Sequence, residues 1–325
     1  MVEKFWLEKD KIMEEKIGIV IPFYNGHKYL DRLIESFDVA AAGRECFLYI
    51  IDNSPKDKVV EIKYLSEIPV QVVREMPAIG YGKASNKGFE LCKERGYDYV
   101  IISNQDAYVS PNFISELLAP FNRDVRIAIS APLLRTYDGN SMEDFFVRYY
   151  LSQVPEMISD LILGNAKEFY EIEKISGACF AFRLNNGLYK YPYLFDPIFH
   201  MYMEDEDLCF RIRSLDEKIV LCTKPVFYHQ HSHTTDLENR ELIEADKLTS
   251  EYILRLKNNS KSSYRTLYGI MVATTSQVAY HVLRGEFAKA FKHIKTFGVT
   301  VSKFPTILKI RKEDFRDKKV YSDRN

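Results

Sequence analysis

Short apolar segments alternate with amphipathic segments along the first third of the chain. Four segments have the length and the β-branched and aromatic content of buried strands: residues 17–21, 46–52, 70–73 and 99–103. Two segments between them place their apolar residues on one helical face: Leu30, Leu33, Ile34 and Phe37 in the first, and Phe89, Leu91 and Cys92 after Asn86 in the second. Repeated strand–helix units of this length predict an α/β fold with a mostly parallel sheet flanked by helices.

The loops that follow these strands carry polar residues, glycines and prolines. They read PFYNG at 22–26, DNSPKD at 52–57, PAIGYGKASNKG at 77–88 and NQDAYV at 104–109. In open α/β sheets, ligands bind at the carboxyl ends of the strands. The sequence therefore predicts a ligand site built from these four loops at one edge of the sheet.

The pattern changes twice further along the chain. Residues 135–175 are irregular and rich in Tyr and Phe, which predicts a partly helical insertion. From about residue 236 onwards, helical patterns replace the strands, and twelve lysines and arginines between residues 255 and 313 face only two glutamates. These basic helices are interpreted either as an amphipathic surface that lies on an anionic membrane, or as a bundle that packs on the rest of the chain or forms a homo-oligomer.

The composition limits the class of protein. Of the 325 residues, 46% are hydrophobic and 28% are charged, which is typical of a folded globular protein. A formal net charge of -1 gives no overall attraction to nucleic acid, so we expect no nucleic-acid partner.

Three features of the sequence bear on where the protein is found. Five cysteines without a CxxC pair predict reduced core thiols in the cytoplasm. Residues 1–16 lack a secretory apolar stretch and residues 268–283 are too short and too polar to span a bilayer, so we expect neither a signal peptide nor a transmembrane segment.

Four consecutive carboxylates stand in the segment MYMEDEDLCFR at residues 201–211. Acidic side chains are favourable in the first turn of a helix, because they complement the helix dipole and the unsatisfied amides there. Leu208, Ile212 and Leu215 give the following residues an inward helical face. The pattern predicts a helix that starts in the acidic run, and by itself it does not separate a structural role from a catalytic one.

Seven segments in a fixed order resemble the family 2 glycosyltransferases of the GT-A fold, particularly the rhamnosyltransferase-like branch. The segments are VIPFYN, IIDNSP, GYGKASNKG, ISNQDAYV, ISGACFAFR, LFDPIFHMYMEDEDLCFRIR and VFYHQHSH, between about residues 16 and 235. The resemblance implies a Rossmann-like GT-A catalytic domain over residues 1–235. Its nucleotide-sugar half would span about 16–130 and its acceptor half about 131–235, followed by a C-terminal helical region over 236–325.

The resemblance implies a base pocket at the ends of the first two strands. Asp52 would accept the imide N–H of uracil or thymine, with Asn53 beside it, while Pro22 and Tyr24 would line the loop beneath the base. A local alternative for Asp52 is to cap the backbone of Asn53 or Ser54.

A second part of the donor site would lie in GYGKASNKG. Gly82 would allow close approach of the backbone, and Asn86 would begin a helix whose amides lie near the nucleotide sugar. The dinucleotide fingerprint GxGxxG is disfavoured, because Ser85 stands where its third glycine is required.

The resemblance also implies a divalent cation, Mg²⁺ or Mn²⁺. Asp106 occupies the position of the metal-binding carboxylate, and Asn104 stands where many relatives have another aspartate. His229 would complete the metal site, although His231 and His233 are alternatives. A hard cation takes its remaining oxygen ligands from phosphates and water. The local alternative for Asp106 is a turn that caps a helix beginning near Pro111.

The catalytic assignment from the resemblance answers the question that the acidic run raises. Asp205 would be the general base, and Glu204 would orient an acceptor hydroxyl. Asp207 would cap the helix and Arg211 would pair with a carboxylate of the run, with Gly177 as a further acceptor-side residue. The aromatic residues at 191–202 suit a sugar face, and they suit a core equally well.

These assignments predict an inverting glycosyltransferase that uses a UDP- or dTDP-sugar, with dTDP-L-rhamnose as the best single donor. The acceptor would be a hydroxyl of a cell-surface polysaccharide or of a lipid-linked saccharide precursor, and the protein would be cytoplasmic or peripheral on the inner face of the cell membrane. Two alternatives are a sugar-phosphate nucleotidyltransferase and a catalytically silent module that binds a sugar or nucleotide. The first is disfavoured because PFYNGHKYL lacks the Gly-rich basic loop of that class.

Overall fold

The computed structural model describes residues 15–58, 60–184, 191–230, 240–258 and 262–322. Within these ranges the strands are β1 (Ile17–Phe23), β2 (Cys46–Asp52), β3 (Val70–Arg74), β4 (Tyr99–Ser103), β5 (Ala107–Val109), β6 (Ile127–Thr136), β7 (Phe169–Ile172), β8 (Cys179–Arg183) and β9 (Lys218–His229). The α-helices are α1 (His27–Ala41), α2 (Tyr81–Glu94), α3 (Phe113–Leu118), α4 (Leu151–Gln153), α5 (Glu156–Ile162), α6 (Glu204–Ser214), α7 (Arg240–Lys257), α8 (Ser263–Leu283) and α9 (Phe287–Ser322).

These strands form one sheet in the order β3-β2-β1-β4-β8-β6-β9-β5, with β7 also paired to β9. The half formed by β3, β2, β1 and β4 is parallel throughout, as the alternating pattern predicts. Beyond β4 the sheet is mixed, because β8 is antiparallel to both of its neighbours while β6 and β9 are parallel. The parallel half places the loops after its strands at one edge of the sheet, where the site was expected.

The first strand is longer than the apolar run predicts. β1 continues through Pro22 to Phe23, and Pro22 lies opposite Ile51 of β2. On the other side, the pairing of β1 with β4 ends at Val20. Proline is tolerated here because it lies where one of the two ladders has already ended. Pro22 is therefore a buried strand residue and not the first residue of a loop.

One helix confirms the predicted pattern, and a second begins earlier than predicted. α1 buries Leu30, Leu33, Ile34 and Phe37 against the sheet, as predicted. The helix that was expected to begin at Asn86 begins at Tyr81 instead, and Asn86 lies inside it. Gly80 precedes this helix with a φ of 84°, a backbone conformation that glycine adopts readily, so the chain turns into the helix earlier than the apolar pattern indicates.

The insertion at 135–175 is partly helical, as predicted. After β6 the chain folds back so that Arg135 bridges Met142. A π-helical turn follows at Phe146–Tyr150, and α4, α5 and β7 come next. The segment that begins this insertion passes close to the end of β9, which carries His229.

The C-terminal helices form a second apolar cluster with the segment before α6. Its buried members are Phe199, Tyr252, Ile253, Leu256, Ile270 and Ile307. After β9 the described residues contain helices and no strand, in agreement with the predicted change at about residue 236. Within the described ranges, none of the helices has the length and apolarity needed to cross a membrane. The five cysteines are buried free thiols.

Candidate active site

Asp106 and His229 meet at the edge of the sheet. β5 pairs with β9 so that Ala107 lies opposite His229, and the amide of Gln230 donates to the carbonyl oxygen of Asp106. This ladder brings together two residues that are far apart in sequence. His229 Nε2 lies 3.3 Å from Asp106 Oδ1 and 3.1 Å from Asn104 Nδ2. The three residues predicted for this position are therefore neighbours.

Glu143, which the sequence did not indicate, holds the other side of the imidazole. Its Oε1 lies 2.6 Å from His229 Nδ1, and both side chains are buried. Burial opposes protonation of the ring, but the carboxylates of Asp106 and Glu143 outweigh it and raise the pKa of His229 to about 9. With Nδ1–H donated to Glu143, Nε2 is directed at Asp106. This carboxylate–histidine arrangement is typical of histidines that bind a metal.

The chemistry of these donors fits a divalent cation held by few protein ligands. The carboxylate of Asp106 and the Nε2 of His229 converge, whereas Glu143 lies on the opposite ring nitrogen. In the part of the chain that the structure describes, no group of three or more ligating side chains converges on one point. Mg²⁺ and Mn²⁺ are often bound by one or two side chains together with phosphate oxygens and water. His231 and His233 lie outside the described residues.

Asp205 is held rigidly at the start of α6. Its Oδ2 accepts from the amide of Gly177 at 2.9 Å, and its Oδ1 accepts from the amide of Glu206 at 2.9 Å. The hydroxyl of Tyr81 donates to the carbonyl of Gly177, so α2 supports the same turn. Burial raises the pKa of Asp205, and the two amide hydrogen bonds limit the rise. The result is an oriented carboxylate that is more basic than an exposed one.

Glu204 lies on the other side of the same turn, facing α2. A Cβ at Gly82 would lie 3.9 Å from Glu204 Cγ, an ordinary contact distance, so Gly82 and Glu204 are neighbours. Burial and the adjacent charge of Asp205 raise the pKa of Glu204 to about 8. Among the described residues, Glu204 Oε2 has no hydrogen-bond partner. A buried carboxylate oxygen without a partner is unusual in a native fold and is available to a bound ligand.

Asp207 does not cap α6, contrary to expectation. It lies one turn inside the helix, and its carboxylate pairs with Arg211 Nε at 2.8 Å and with Lys257 Nζ at 2.6 Å. Lys257 also bridges to Asp196. Burial opposes ionisation of Asp207, but the charges of Lys257 and Arg211 hold its pKa below the usual range. The predicted pairing of Arg211 with the acidic run is confirmed. Lys257, one of the twelve cations counted in the basic helices, belongs to this buried network.

The carboxylate of Asp52 is engaged locally. Its Oδ1 accepts from the amide of Ser54 at 2.9 Å, which is the capping alternative, and its Oδ2 pairs with Arg74 Nη1 at 2.6 Å. Asn53 Oδ1 accepts from the amide of Ile79, so Asn53 ties the end of β2 to the loop before α2. Each carboxylate oxygen has a further lone pair. Recognition of a base by Asp52 therefore remains a proposal, with Arg74 as a second polar group beside it.

Two side-chain amides fix the loops around the site. Gln105 accepts from the amide of Tyr24 at 2.7 Å and donates to its carbonyl at 2.9 Å, which joins the loop after β1 to the loop after β4. The side chain of Tyr24 is exposed. Asn86 makes the same kind of paired contact, at 2.7 and 2.8 Å, with the backbone of Phe195. Asn86 therefore holds the segment before α6 against α2 and is a positioning residue.

Two adjoining pockets lie between His229 and Asp205. One, of about 550 Å³, is lined by Glu143, His229 and the hairpin that follows β6. The other, of about 420 Å³, is lined by Asp205, Tyr202 and residues of the insertion. Asp144 and Phe145 line both pockets, so the insertion lies between the histidine and the carboxylate of α6. The first pocket is rich in carboxylates, so it suits a cation, and an anionic ligand would need that cation to be bound there.

Sequence comparison finds related proteins over much of the chain. A dolichol-phosphate mannosyltransferase of Pyrococcus furiosus is 26% identical over 156 residues, which cover 47% of this chain and 43% of the relative. The match therefore spans less than half of that protein. An N-acetylglucosaminyl-diphospho-decaprenol L-rhamnosyltransferase of Mycobacterium tuberculosis is 24% identical over 250 residues, which cover 69% of this chain and 78% of the relative.

Solved structures and a family model also match this chain. A structure of GalNAc-T7 with UDP, GalNAc and Mn²⁺ matches with a TM-score of 0.54 at 19% identity, covering 74% of this chain and 47% of that one. A structure of S. aureus TarS 1–349 in complex with UDP matches with a TM-score of 0.54 at 13% identity, covering 95% and 90%. These likenesses show a GT-A fold with C-terminal helices. The family model described as glycosyl transferase family 2 matches residues 18–185, just over half of the 325 residues. The chain belongs to glycosyl transferase family 2.

Proposed function

We propose that this protein is an inverting, metal-dependent glycosyltransferase that moves a sugar from a nucleoside diphosphate to an acceptor hydroxyl. The observation that carries the proposal is the contact between Asp106 and His229 at the carboxyl edge of the sheet of a family 2 member. Asp205 lines the adjoining pocket. A transferase needs a place for the diphosphate and a base for the acceptor, and these two positions meet both needs.

On the donor side, Asp106 and His229 would hold Mg²⁺ or Mn²⁺, and Glu143 would keep His229 Nε2 directed at the ion. The bound cation would neutralise the diphosphate leaving group.

The rest of the donor would lie against the loops after the strands. The base would be surrounded by Asp52, Asn53, Pro22 and Tyr24. The remainder of the donor would lie along Gly82, Asn86 and Asn104. We propose a UDP- or dTDP-sugar, with dTDP-L-rhamnose as the first donor to test, because a rhamnosyltransferase is among the relatives.

On the acceptor side, Asp205 would remove the proton from the attacking hydroxyl. The acceptor oxygen forms a bond to the anomeric carbon while the bond from that carbon to the diphosphate oxygen breaks, and the electron pair leaves with the nucleoside diphosphate. A single displacement of this kind inverts the anomeric configuration. Glu204 would orient a ligand hydroxyl with its unpartnered oxygen, and Gly177, Asp207 and Arg211 would keep the turn in place.

The acceptor class that we propose is a lipid-linked saccharide, with a cell-surface polysaccharide as the alternative. The names of the two relatives include a dolichol phosphate and a decaprenol-linked saccharide. Such an acceptor would place the protein in the cytoplasm, at the inner face of the cell membrane. A silent nucleotide-binding module would keep the donor pocket and would have no need for the oriented carboxylate of Asp205.

The first test is thermal-shift binding of UDP, dTDP, GDP and CMP, each with and without Mn²⁺. A ligand that binds only the native state raises the free energy of unfolding by RT ln(1 + [L]/Kd), and the unfolding temperature rises with it. We expect a shift with UDP or dTDP that depends on Mn²⁺ and that is lost in Asp106→Asn. A shift with GDP or CMP alone would contradict the donor class, and a shift that ignores Mn²⁺ would contradict the metal site.

A further inference from the structure

The helix α8 carries an exposed apolar stripe along most of its length. Tyr264, Tyr268, Met271 and Val282 recur on one helical side, and all four are exposed. Ile270 and Thr274 are buried and lie about 100° round the helix from this stripe. A helix of a globular protein normally turns its apolar side inward. Here one apolar side packs on the protein and a second one faces outward.

Exposed apolar residues continue across the turn into α9. Leu283, at the end of α8, is 88% exposed, and Phe287, at the start of α9, is 67% exposed. Phe291, Ile294 and Val301 follow at intervals that return to the same side of α9, and they are also exposed. We name α8 and the first part of α9, residues 262–312, the C-terminal hairpin. The tip therefore carries Leu283, the most exposed large apolar side chain of the hairpin.

The hairpin carries a large share of the charge asymmetry of the protein. Residues 262–312 contain nine lysines and arginines and one glutamate, which gives 9 − 1 = +8. Because the whole chain has a formal net charge of -1, the remaining residues carry -1 − 8 = -9. Three of the exposed cations on the hairpin are Arg265, Lys295 and Lys309. A surface of this kind favours an anionic partner.

We propose that the C-terminal hairpin lies on an anionic membrane surface, with its apolar stripe among the acyl chains and its cations at the headgroups. Nucleic acid would satisfy the cations but would leave the aliphatic and aromatic stripe in water. A second copy that docked through the same hairpin would bring two surfaces of +8 together. An anionic lipid surface satisfies both the charge and the apolar stripe, and in-plane docking needs no helix that spans the bilayer.

The hairpin is tied to the segment that leads into α6. Ile270 and Ile307 pack with Phe199 in the C-terminal cluster, and Lys303 Nζ donates to the carbonyl of Ile198 at 2.8 Å. Glu204 and Asp205 follow a few residues later. Docking would thus hold the acceptor side of the site near the lipid headgroups. This consequence rests on the proposed function, whereas the docking itself does not.

The test is flotation of the full chain with vesicles of phosphatidylcholine alone and of phosphatidylcholine mixed with phosphatidylglycerol. We expect binding to the mixed vesicles that weakens as salt is raised. The variant Leu283→Ser/Phe287→Ser should bind at least about 10-fold more weakly, because two exposed apolar side chains no longer enter the lipid. Leu65→Ser is the matched control, since Leu65 is 93% exposed on the catalytic part of the chain.

The outcomes separate the alternatives. Equal flotation with both vesicle types, or equal flotation of the double variant and the wild type, would overturn the proposal. Sedimentation that shows a dimer which the double variant abolishes, without flotation of the wild type, would assign the stripe to a second copy. A Mn²⁺-dependent nucleotide shift that persists in the double variant shows that the donor site is intact, so failure of docking and failure of the proposed function are distinguishable.

Discussion

Glu143 Oε1 lies 2.6 Å from His229 Nδ1, and this contact determines which ring nitrogen faces Asp106. The imidazole donates its Nδ1 proton to Glu143 and turns Nε2 towards the predicted metal ligand. Outer-shell carboxylates of this kind orient the histidine and raise its basicity as a ligand. The metal site that we propose therefore depends on a residue from the irregular insertion, in addition to its two ligands.

Replacing Glu143 should weaken cation binding. We expect Glu143→Ala to raise the Kd for Mn²⁺, measured by titration calorimetry in the presence of UDP, by about 10–100-fold. Glu143→Gln, which keeps an acceptor for Nδ1–H, should fall between the alanine variant and the wild type. Glu90→Gln is the control, because Glu90 is 57% exposed on α2 and lines neither pocket of the site. An unchanged Kd for Glu143→Ala would remove Glu143 from the site.

Lys257 should be a stability determinant, although it lies at the end of a helix. It bridges Asp196 and Asp207, and all three side chains are almost fully buried. Lys257→Met would remove the cation that these two buried carboxylates share. Breaking a buried ion pair in this way lowers the free energy of unfolding by about 3–5 kcal/mol. We expect a clearly lower midpoint of urea unfolding. Lys247→Met, on the exposed side of the same helix, should change the midpoint little. Equal midpoints for the two variants would contradict the network.

Glu204 should make stability depend on pH. Its pKa is raised from 4.5 to about 8, so the folded state keeps a proton that the unfolded state releases near pH 4.5. The stabilisation is complete below about pH 4.5 and is lost as the pH rises towards 8. The unfolding temperature of the wild type should therefore fall between pH 5 and pH 9 by about 5 °C more than that of Glu204→Gln, which has no carboxyl group to titrate at this position. Parallel curves of unfolding temperature against pH would contradict the shift, and Glu90→Gln on the surface of α2 is the control.

The close packing of α2 on β1 should make Gly88 intolerant of a side chain. A Cβ at Gly88 would lie 2.2 Å from Val20 Cγ1, inside a strand that cannot move independently. We expect Gly88→Ala to lower the free energy of unfolding by about 1–3 kcal/mol through overpacking. At Gly269 of α8 an added Cβ meets nothing within 4 Å. Gly269→Ala should stabilise the protein by a few tenths to about 1 kcal/mol, and the two variants should be compared by chemical unfolding. The same sign for both would be inconsistent with this packing.

The apolar pattern was sufficient to predict the parallel half of the fold. The runs at 46–52 and 99–103 coincide with β2 and β4, and the inward face of α1 is as predicted. These elements are determined by burial on both faces of the sheet, which leaves a continuous apolar signature. The start of α2 was missed because Gly80 and Tyr81 determine it through backbone conformation, and apolar periodicity does not report that.

Candidate site residues that lie in sequence motifs could be proposed from the sequence. Residues that only tertiary contacts bring to the site could not. Asp106 and His229 were proposed from the resemblance, and the pairing of β5 with β9 brings them together. Glu143 lies in a segment without periodicity, so only the folded chain places it beside the histidine. Lys257 was counted among the cations of the basic helices without a partner being predicted, because sequence alone does not reveal that Asp196 and Asp207 lie buried beside it.

The most direct measurement of the central claim is the turnover of Asp205→Asn. A sugar conjugate of the nucleotide that gives the largest Mn²⁺-dependent shift would be incubated with a polyprenyl-diphosphate-linked N-acetylglucosamine, and release of the nucleoside diphosphate would be followed. If Asp205 is the base, the asparagine variant should lose about 10²–10⁴-fold in kcat, while its Kd for the nucleotide with Mn²⁺ stays the same. Turnover within about twofold of the wild type would contradict the assignment of Asp205 as the base that activates the acceptor.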